Sequence, residues 1–308
     1  MILARTTRAV ATVAIALALA APVAASIPPP APAPTATFNV GSLHVTQYGS
    51  GAQTLIFIPG LTCGPWEWSG EIAHYAPNYT IYALTLPGFD GQAPIAGPLF
   101  QTTTADFWKL LEQKRIDKPV VIGHSLGGTM GFMLATQHPE RLRGVIALDG
   151  LPIYPTDVMM TPDQVKTMAA GASAAMQKMT PAQFAATERT TSLPYMITAQ
   201  SDIDAVAPLA ARSDPGATAR WFYEDLTLDL RPQLHLADVP ILLIAPYDAT
   251  LEGKYLPTPA AKRDFYAGIV KGAPNATVVT IDHSRHFAMY DQPQALDEAI
   301  AQFLAKLP

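Results

Sequence analysis

The chain has 308 residues, of which 49% are hydrophobic and 15% charged, a composition too apolar for a disordered chain and a length beyond a minimal domain. Twenty Lys and Arg against 25 Asp and Glu leave a net charge of −5 with no block of like charge, which argues against a nucleic-acid partner. One cysteine, Cys63, excludes an internal disulfide framework and a zinc site made of cysteines alone.

Arg5 and Arg8 precede an apolar run, Ala9 to Ala21 with Thr12 its one polar residue, and Pro22-Val23-Ala24-Ala25-Ser26 supplies small residues. This is the layout of a secretory signal peptide over residues 1–25, cleaved after Ala25. The run is shorter than the roughly 20 residues a spanning helix needs, so no stable membrane anchor is expected after cleavage. Loss of the two arginines would take the net charge from −5 to −7. The expected location is outside the cytoplasm, periplasmic or secreted, where Cys63 has no partner within the chain. Residues 26–35, with Ile27 to Pro34 reading IPPPAPAP, suit an extended tether.

Ala36 to Val40 and Leu43 to Tyr48 read as an opening hairpin around Gly41. Continuous apolar, β-rich runs follow at Thr54–Ile58, Thr80–Leu86, Pro119–Gly123, Gly144–Leu148, Val239–Ala245 and Thr277–Ile281. Unbroken rather than alternating strands indicate burial on both faces, hence a mostly parallel sheet covered by helices. Helical patterns lie between them at Thr104–Lys114, Leu126–Gln137, Ala260–Lys271 and Pro293–Leu307. The alternation predicts a doubly wound α/β fold, with a core formed by residues 36–150 and 237–308.

Residues 151–236 break the rhythm. They contain no clear strand and begin helices at Thr161-Pro162-Asp163-Gln164 and Thr180-Pro181-Ala182-Gln183, each with a threonine cap, proline at the first position and glutamine at the third. About 86 residues of helix inserted between two sheet strands predict a cap over the carboxyl edge of the sheet. Its methionines, Met159, Met160, Met168, Met176, Met179 and Met196, are either ordinary packing or a pliable wall for a binding cavity.

Gly123-His124-Ser125-Leu126-Gly127 is a G-x-S-x-G match that directly follows the apolar run and opens a helical pattern, the strand–turn–helix setting of a nucleophile elbow. The turn is so tight that a Cβ at either flanking glycine would clash. It lifts the serine hydroxyl above the sheet at a helix N-terminus, where free N–H groups favour negative charge.

With these residues the chain resembles the α/β-hydrolase family over residues 36–308, through Gly123 to Gly127, the Pro59-Gly60-Leu61 turn, Asp248 after a strand and His286 near the end. The resemblance implies an order of serine, acid and histidine, which Ser125, Asp248 and His286 fit. His286 stands on the loop where the family carries its base, although Arg285 replaces the usual glycine before it; His283 is the rival. Asp149, which ends GVIALD, is the alternative acid, one strand earlier. The family's oxyanion donors map to the backbone N–H groups of Leu61 and Leu126. Trp66 and Trp68, on the same loop as Leu61, either line the substrate pocket or pack, and Cys63 reads as a small buried filler.

These residues imply an enzyme that needs neither cofactor nor metal, a serine hydrolase whose partner is a small-molecule carboxylic ester. Amide, lactone, thioester and carbon–carbon hydrolysis or perhydrolysis would use the same residues, because fold does not fix function. A non-catalytic binding module is the reading from another class, and a fluorophosphonate probe would leave it unlabelled.

Overall fold

The computed structural model describes residues 29–308; the targeting segment expected at residues 1–25 lies outside them. The strands are β1 (Ala36–Val40), β2 (Leu43–Tyr48), β3 (Gln53–Ile58), β4 (Tyr79–Thr85), β5 (Val120–His124), β6 (Gly144–Leu148), β7 (Ile241–Tyr247) and β8 (Ala276–Asp282). They form one sheet in the order β1-β2-β4-β3-β5-β6-β7-β8. The opening hairpin pairs antiparallel, Ala36 opposite Gln47, and β2 runs antiparallel to β4, while β4, β3, β5, β6, β7 and β8 are mutually parallel. Every residue of β5, β6 and β7 is buried, as expected for apolar strands covered on both faces.

The helices are α1 (Ser69–Tyr75), α2 (Leu99–Lys114), α3 (Leu126–Gln137), α4 (Pro162–Gln177), α5 (Pro181–Thr187), α6 (Leu193–Met196), α7 (Gln200–Ala210), α8 (Pro215–Leu226), α9 (Ala249–Glu252), α10 (Pro259–Val270), α11 (Ala288–Asp291) and α12 (Pro293–Leu304). They and the loops cover the sheet with two apolar clusters. One is built on Ile56, Val121, Phe107, Phe132 and Trp221, the other on Phe57, Ile122, Trp68, Leu148 and Ile300. Each large side chain removed from water in this way contributes roughly 1.5–3 kcal/mol.

Three expectations shift. Helix α2 begins at Leu99, a turn and more before Thr104. Thr102, Thr103 and Thr104 hid its start, and they fit by donating their hydroxyls to the carbonyls of Pro98, Leu99 and Phe100. Strand β7 begins at Ile241 rather than Val239, because Pro240 has no N–H to give to a ladder. The apolar run at Thr277–Ile281 is not buried on both faces: β8 is an edge strand whose residues alternate, leaving Val279 37% exposed.

Between β6 and β7 the chain forms helices α4 to α8. Both expected capping boxes are present: Thr161 and Thr180 accept the N–H of Gln164 and Gln183, whose side chains accept the threonine N–H in return. An antiparallel bridge between Ile153 and Asp229, with the Leu230 N–H 2.7 Å from the Pro152 carbonyl, ties the two ends of the insertion together.

Candidate active site

Ser125 occupies the turn between β5 and α3 with φ 50° and ψ −120°, a backbone conformation costing about 1–3 kcal/mol for a residue with a side chain. Its N–H donates to the Leu148 carbonyl of the neighbouring strand at 2.8 Å. The flanking glycines permit the turn. A Cβ on Gly123 would lie 2.2 Å from the Gly127 carbonyl oxygen, and one on Gly127 would lie 2.3 Å from that of Ile58.

His286 follows β8, and its Nδ1 lies 2.5 Å from Asp149 Oδ2. Asp149 directly follows β6 with φ 48°, another left-handed position, and the Tyr266 hydroxyl of α10 donates to its Oδ1 at 2.6 Å. Burial works to raise the Asp149 pKa, but the hydrogen bond and charge of His286, the charge of Lys262 and the Tyr266 hydroxyl hold it well below the usual carboxylate range. For His286, burial and the adjacent His124 lower the pKa below that of a free imidazole, while Asp149 works in the opposite direction. The ring is then neutral at pH 7 with its proton on Nδ1, leaving Nε2 as a proton acceptor.

The acid expected at Asp248 does not reach the histidine. Its carboxylate lies 2.8 Å from Arg285 Nε and caps α9, accepting the Thr250 N–H at 2.8 Å and the Thr250 hydroxyl at 2.6 Å. Arg285, in place of the family's glycine, captures Asp248 and binds the carbonyls of Pro194 and Ile197 in the insertion. Asp149, named above as the alternative, is therefore the carboxylate beside His286. The rival His283 points to solvent, with a side chain 87% exposed.

Ser125, Asp149 and His286 open onto one cavity of about 450 Å³. Leu61, Thr62 and Phe287 of the core share its walls with Met176, Leu193, Met196 and Phe222 of the insertion. Among the described residues no hydrogen bond within 3.5 Å joins Ser125 to His286; such contacts commonly tighten only when substrate is bound. The expected donors sit where the elbow and the Pro59-Gly60 turn put them. Leu126 is the first residue of α3, and Leu61 lines the cavity. Neither backbone N–H donates to another described residue.

Trp66 and Trp68 do not line the cavity. Trp68 is fully buried, 5.2 Å from Phe57 between ring centroids, and Trp66 packs on the same cluster. Thr62 and Cys63, on the same loop, face the cavity instead. Cys63 is 1% exposed, and burial, with Glu67 and Glu188 nearby, pushes its thiol well above the usual value, so it is not a thiolate nucleophile.

Glu67 and His124 were not expected to interact. Both are buried, with Glu67 Oε1 2.6 Å from His124 Nδ1 and Glu67 Oε2 3.0 Å from the Gly60 N–H. The only sequence signal was a charged residue within the apolar stretch Pro65-Trp66-Glu67-Trp68. No group of three or more His, Cys, Asp or Glu is placed to hold a metal ion among the described residues.

The fold has counterparts among known proteins. The family described as "alpha/beta hydrolase fold" matches residues 53–293. The pimeloyl-[acyl-carrier protein] methyl ester esterase of Aeromonas hydrophila is 25% identical over 278 residues, covering 85% of this chain and 99% of the esterase. A dihydrolipoyllysine-residue acetyltransferase component of an acetoin cleaving system, from Cupriavidus necator, is 32% identical over 98 residues, 32% of this chain and 26% of its own length. The chain thus spans about a quarter of that protein. A solved thermophilic esterase from Thermogutta terrifontis superposes with a TM-score of 0.71 at 17% identity, covering 88% of this chain and 98% of the esterase, and so shares the fold. The match over most of its length shows that this chain belongs to the α/β-hydrolase family.

Proposed function

We propose that this hydrolase cleaves carboxylic esters through an acyl-enzyme on Ser125. The observation that carries the reading is the 2.5 Å contact of His286 Nδ1 with Asp149, beside a strained serine in the wall of the same cavity. A serine hydroxyl attacks poorly until a base takes its proton. Nε2 of His286 accepts that proton as Ser125 Oγ bonds to the ester carbonyl carbon. Asp149 stabilises the resulting imidazolium. The N–H groups of Leu61 and Leu126 hold the oxyanion, and a donor of this kind contributes about 3–4 kcal/mol. The alcohol leaves with the proton from Nε2. Water then gives a proton to Nε2 as it attacks the acyl carbon, and Nε2 returns that proton to Ser125 Oγ as the bond to the acyl carbon breaks and the carboxylic acid is released.

The ester esterase of Aeromonas hydrophila, matched along nearly its whole length, supports this bond type. The cavity volume suits a small molecule, and Met176, Met196 and Phe222 of the insertion close part of its wall, which would hinder a folded protein or solid polymer. The proposal includes export, supported by Arg5, Arg8 and the apolar run that follows. The test is a panel of soluble esters, amides, thioesters, lactones and an insoluble polyester with the purified protein, alongside fluorophosphonate labelling. Labelling confined to Ser125, soluble esters as the best substrates, and loss of turnover by several powers of ten in Ser125→Ala are expected. Undiminished turnover in that variant overturns the mechanism, and preference for amide or polymer overturns the substrate class.

A further inference from the structure

We propose that Glu67 and His124 are positioning residues, which hold the oxyanion turn and the histidine loop in register through one buried polar path. The proposal rests on the serine-hydrolase reading above. Glu67 does not line the cavity and His124 lines it only beside the His286 ring; their side chains are 0% and 1% exposed. Glu67 lies in the short turn of helix Pro65–Trp68, and His124 ends β5. The path begins at the Gly60 N–H, which donates to Glu67 Oε2 at 3.0 Å. It continues from Glu67 Oε1 to His124 Nδ1 at 2.6 Å. It ends at the His286 carbonyl oxygen, 3.1 Å from His124 Nε2.

The chemistry of the ends fixes the direction of the bonds. A carbonyl oxygen only accepts, so His124 Nε2 carries a proton. The Gly60 N–H only donates, so Glu67 Oε2 accepts. One further proton lies between Glu67 Oε1 and His124 Nδ1. All the polar atoms of the path are then used, in an interior where a loose polar group is costly.

The path spans the parts of the site that must agree. Gly60 precedes Leu61, whose N–H is an oxyanion donor in the proposed reaction. His124 precedes Ser125. The His124 ring lies 4.4 Å from that of His286, centroid to centroid, and 4.8 Å from that of Phe287. There is no slack at the turn, since a Cβ on Gly60 would come within 2.9 Å of His124 Nδ1 and 3.3 Å of Glu67 Oε1. Glu67 therefore acts on the turn through a hydrogen bond and on the base through His124. Donors displaced by even a fraction of an ångström weaken transition-state binding more than ground-state binding.

Glu67→Met keeps the volume of the side chain and removes both of its hydrogen bonds. Glu67→Gln restores them, because its amide oxygen accepts from Gly60 N–H and its NH₂ donates to His124 Nδ1 as a neutral ring. With a soluble ester, Glu67→Met is expected to lose about 100-fold in kcat, the scale of one oxyanion donor, with KM within about twofold. Glu67→Gln is expected to recover most of that loss. The labelling rate of Ser125 by a fluorophosphonate is expected to follow kcat. A folded Glu67→Met with unchanged kcat, a loss confined to KM, or a folded Glu67→Gln as poor as Glu67→Met overturns the proposal. Should Glu67→Met not fold, His124→Leu cuts the same path from the other side, and wild-type kcat in that variant overturns it. A wild-type protein that labels at Ser125 but cleaves no ester would refute the ester reading alone, and the labelling rates would still decide the role of Glu67 and His124.

Discussion

Arg285 holds Asp248 at 2.8 Å, one residue before the histidine that Asp248 was expected to serve. The charge of this pair is spent locally. The Asp248 carboxylate, which burial works to raise, is held low by Thr250 and Arg285, and it makes no hydrogen bond to His286 among the described residues. Asp149→Asn is therefore expected to lower kcat by about 10³–10⁴-fold, the scale of losing the group that fixes the tautomer of the base. Asp248→Asn, which keeps an oxygen for Arg285, is expected to cost less than about tenfold. Ester turnover of both variants, with folding checked by circular dichroism, measures this. A greater loss in Asp248→Asn contradicts the assignment.

The serine was legible because its signal is local: two glycines, an apolar strand before and a helix after. Which carboxylate meets His286 was not, because Asp149 and Asp248 both directly follow buried strands and differ only in what reaches them from elsewhere in the chain. The signal was Arg285. A guanidinium in place of glycine can pair with a nearby carboxylate, and here it pairs with Asp248 after β7. Trp66 and Trp68 were ambiguous for a similar reason. Which side of the loop faces the cavity depends on the packing of Trp68 against Phe57 and against His124, the latter far from it in sequence. The six insertion methionines divide: Met176 and Met196 line the cavity, whereas Met159 is 91% exposed.

The pH dependence follows from the environment of His286. Burial and the charge of His124 lower its pKa below 6.5, opposed by the hydrogen bond and charge of Asp149 and by Glu67. The base works only when deprotonated, so kcat/KM rises with pH through a value below 6.5 and activity persists into mild acid. A rate profile of the wild type with an uncharged ester measures this. An acid limb centred above pH 7 is incompatible with the observed surroundings.

Glu71 predicts a second pH effect, on stability. It is 3% exposed on α1 and has no cationic partner among the described salt bridges. Burial, with Asp297 and Glu67 nearby, pushes its pKa from 4.5 up to about 8. The folded protein keeps the Glu71 proton to about pH 8, whereas the unfolded chain releases it near 4.5. The stabilisation is thus full below about pH 4.5 and is lost as pH rises towards 8. Glu71→Gln keeps the shape without the charge. Its melting temperature is expected to exceed the wild type at pH 8.5, by roughly 2–4 °C per kcal/mol recovered, with the gap closing towards pH 5. Equal melting temperatures at pH 8.5 would show that Glu71 ionises without cost.

The cavity should also discriminate by charge. Its walls contain Glu188 and Asp225 from the insertion and no lysine or arginine. Burial raises the Glu188 pKa against the hydrogen bond of Ser192, and it pushes Asp225 up to about 7, with the charge of Asp157 adding to it and Thr129 opposing. Below pH 7 Asp225 is largely protonated and its part of the wall is close to neutral; above pH 7 it becomes anionic. An ester with a free carboxylate on its acyl chain then meets a like charge in a partly desolvated site, where repulsion is weakly screened. The ratio of kcat/KM for a neutral ester to that for its carboxylate analogue is expected to exceed about 10 at pH 6 and to grow severalfold by pH 8. Taking the ratio cancels the titration of His286, which both substrates share. In Asp225→Asn the growth of the ratio between pH 6 and pH 8 is expected to shrink, because a group whose pKa lies near 7 has gone. A ratio near 1, or one that falls as pH rises, would mean that these carboxyl groups do not face the substrate.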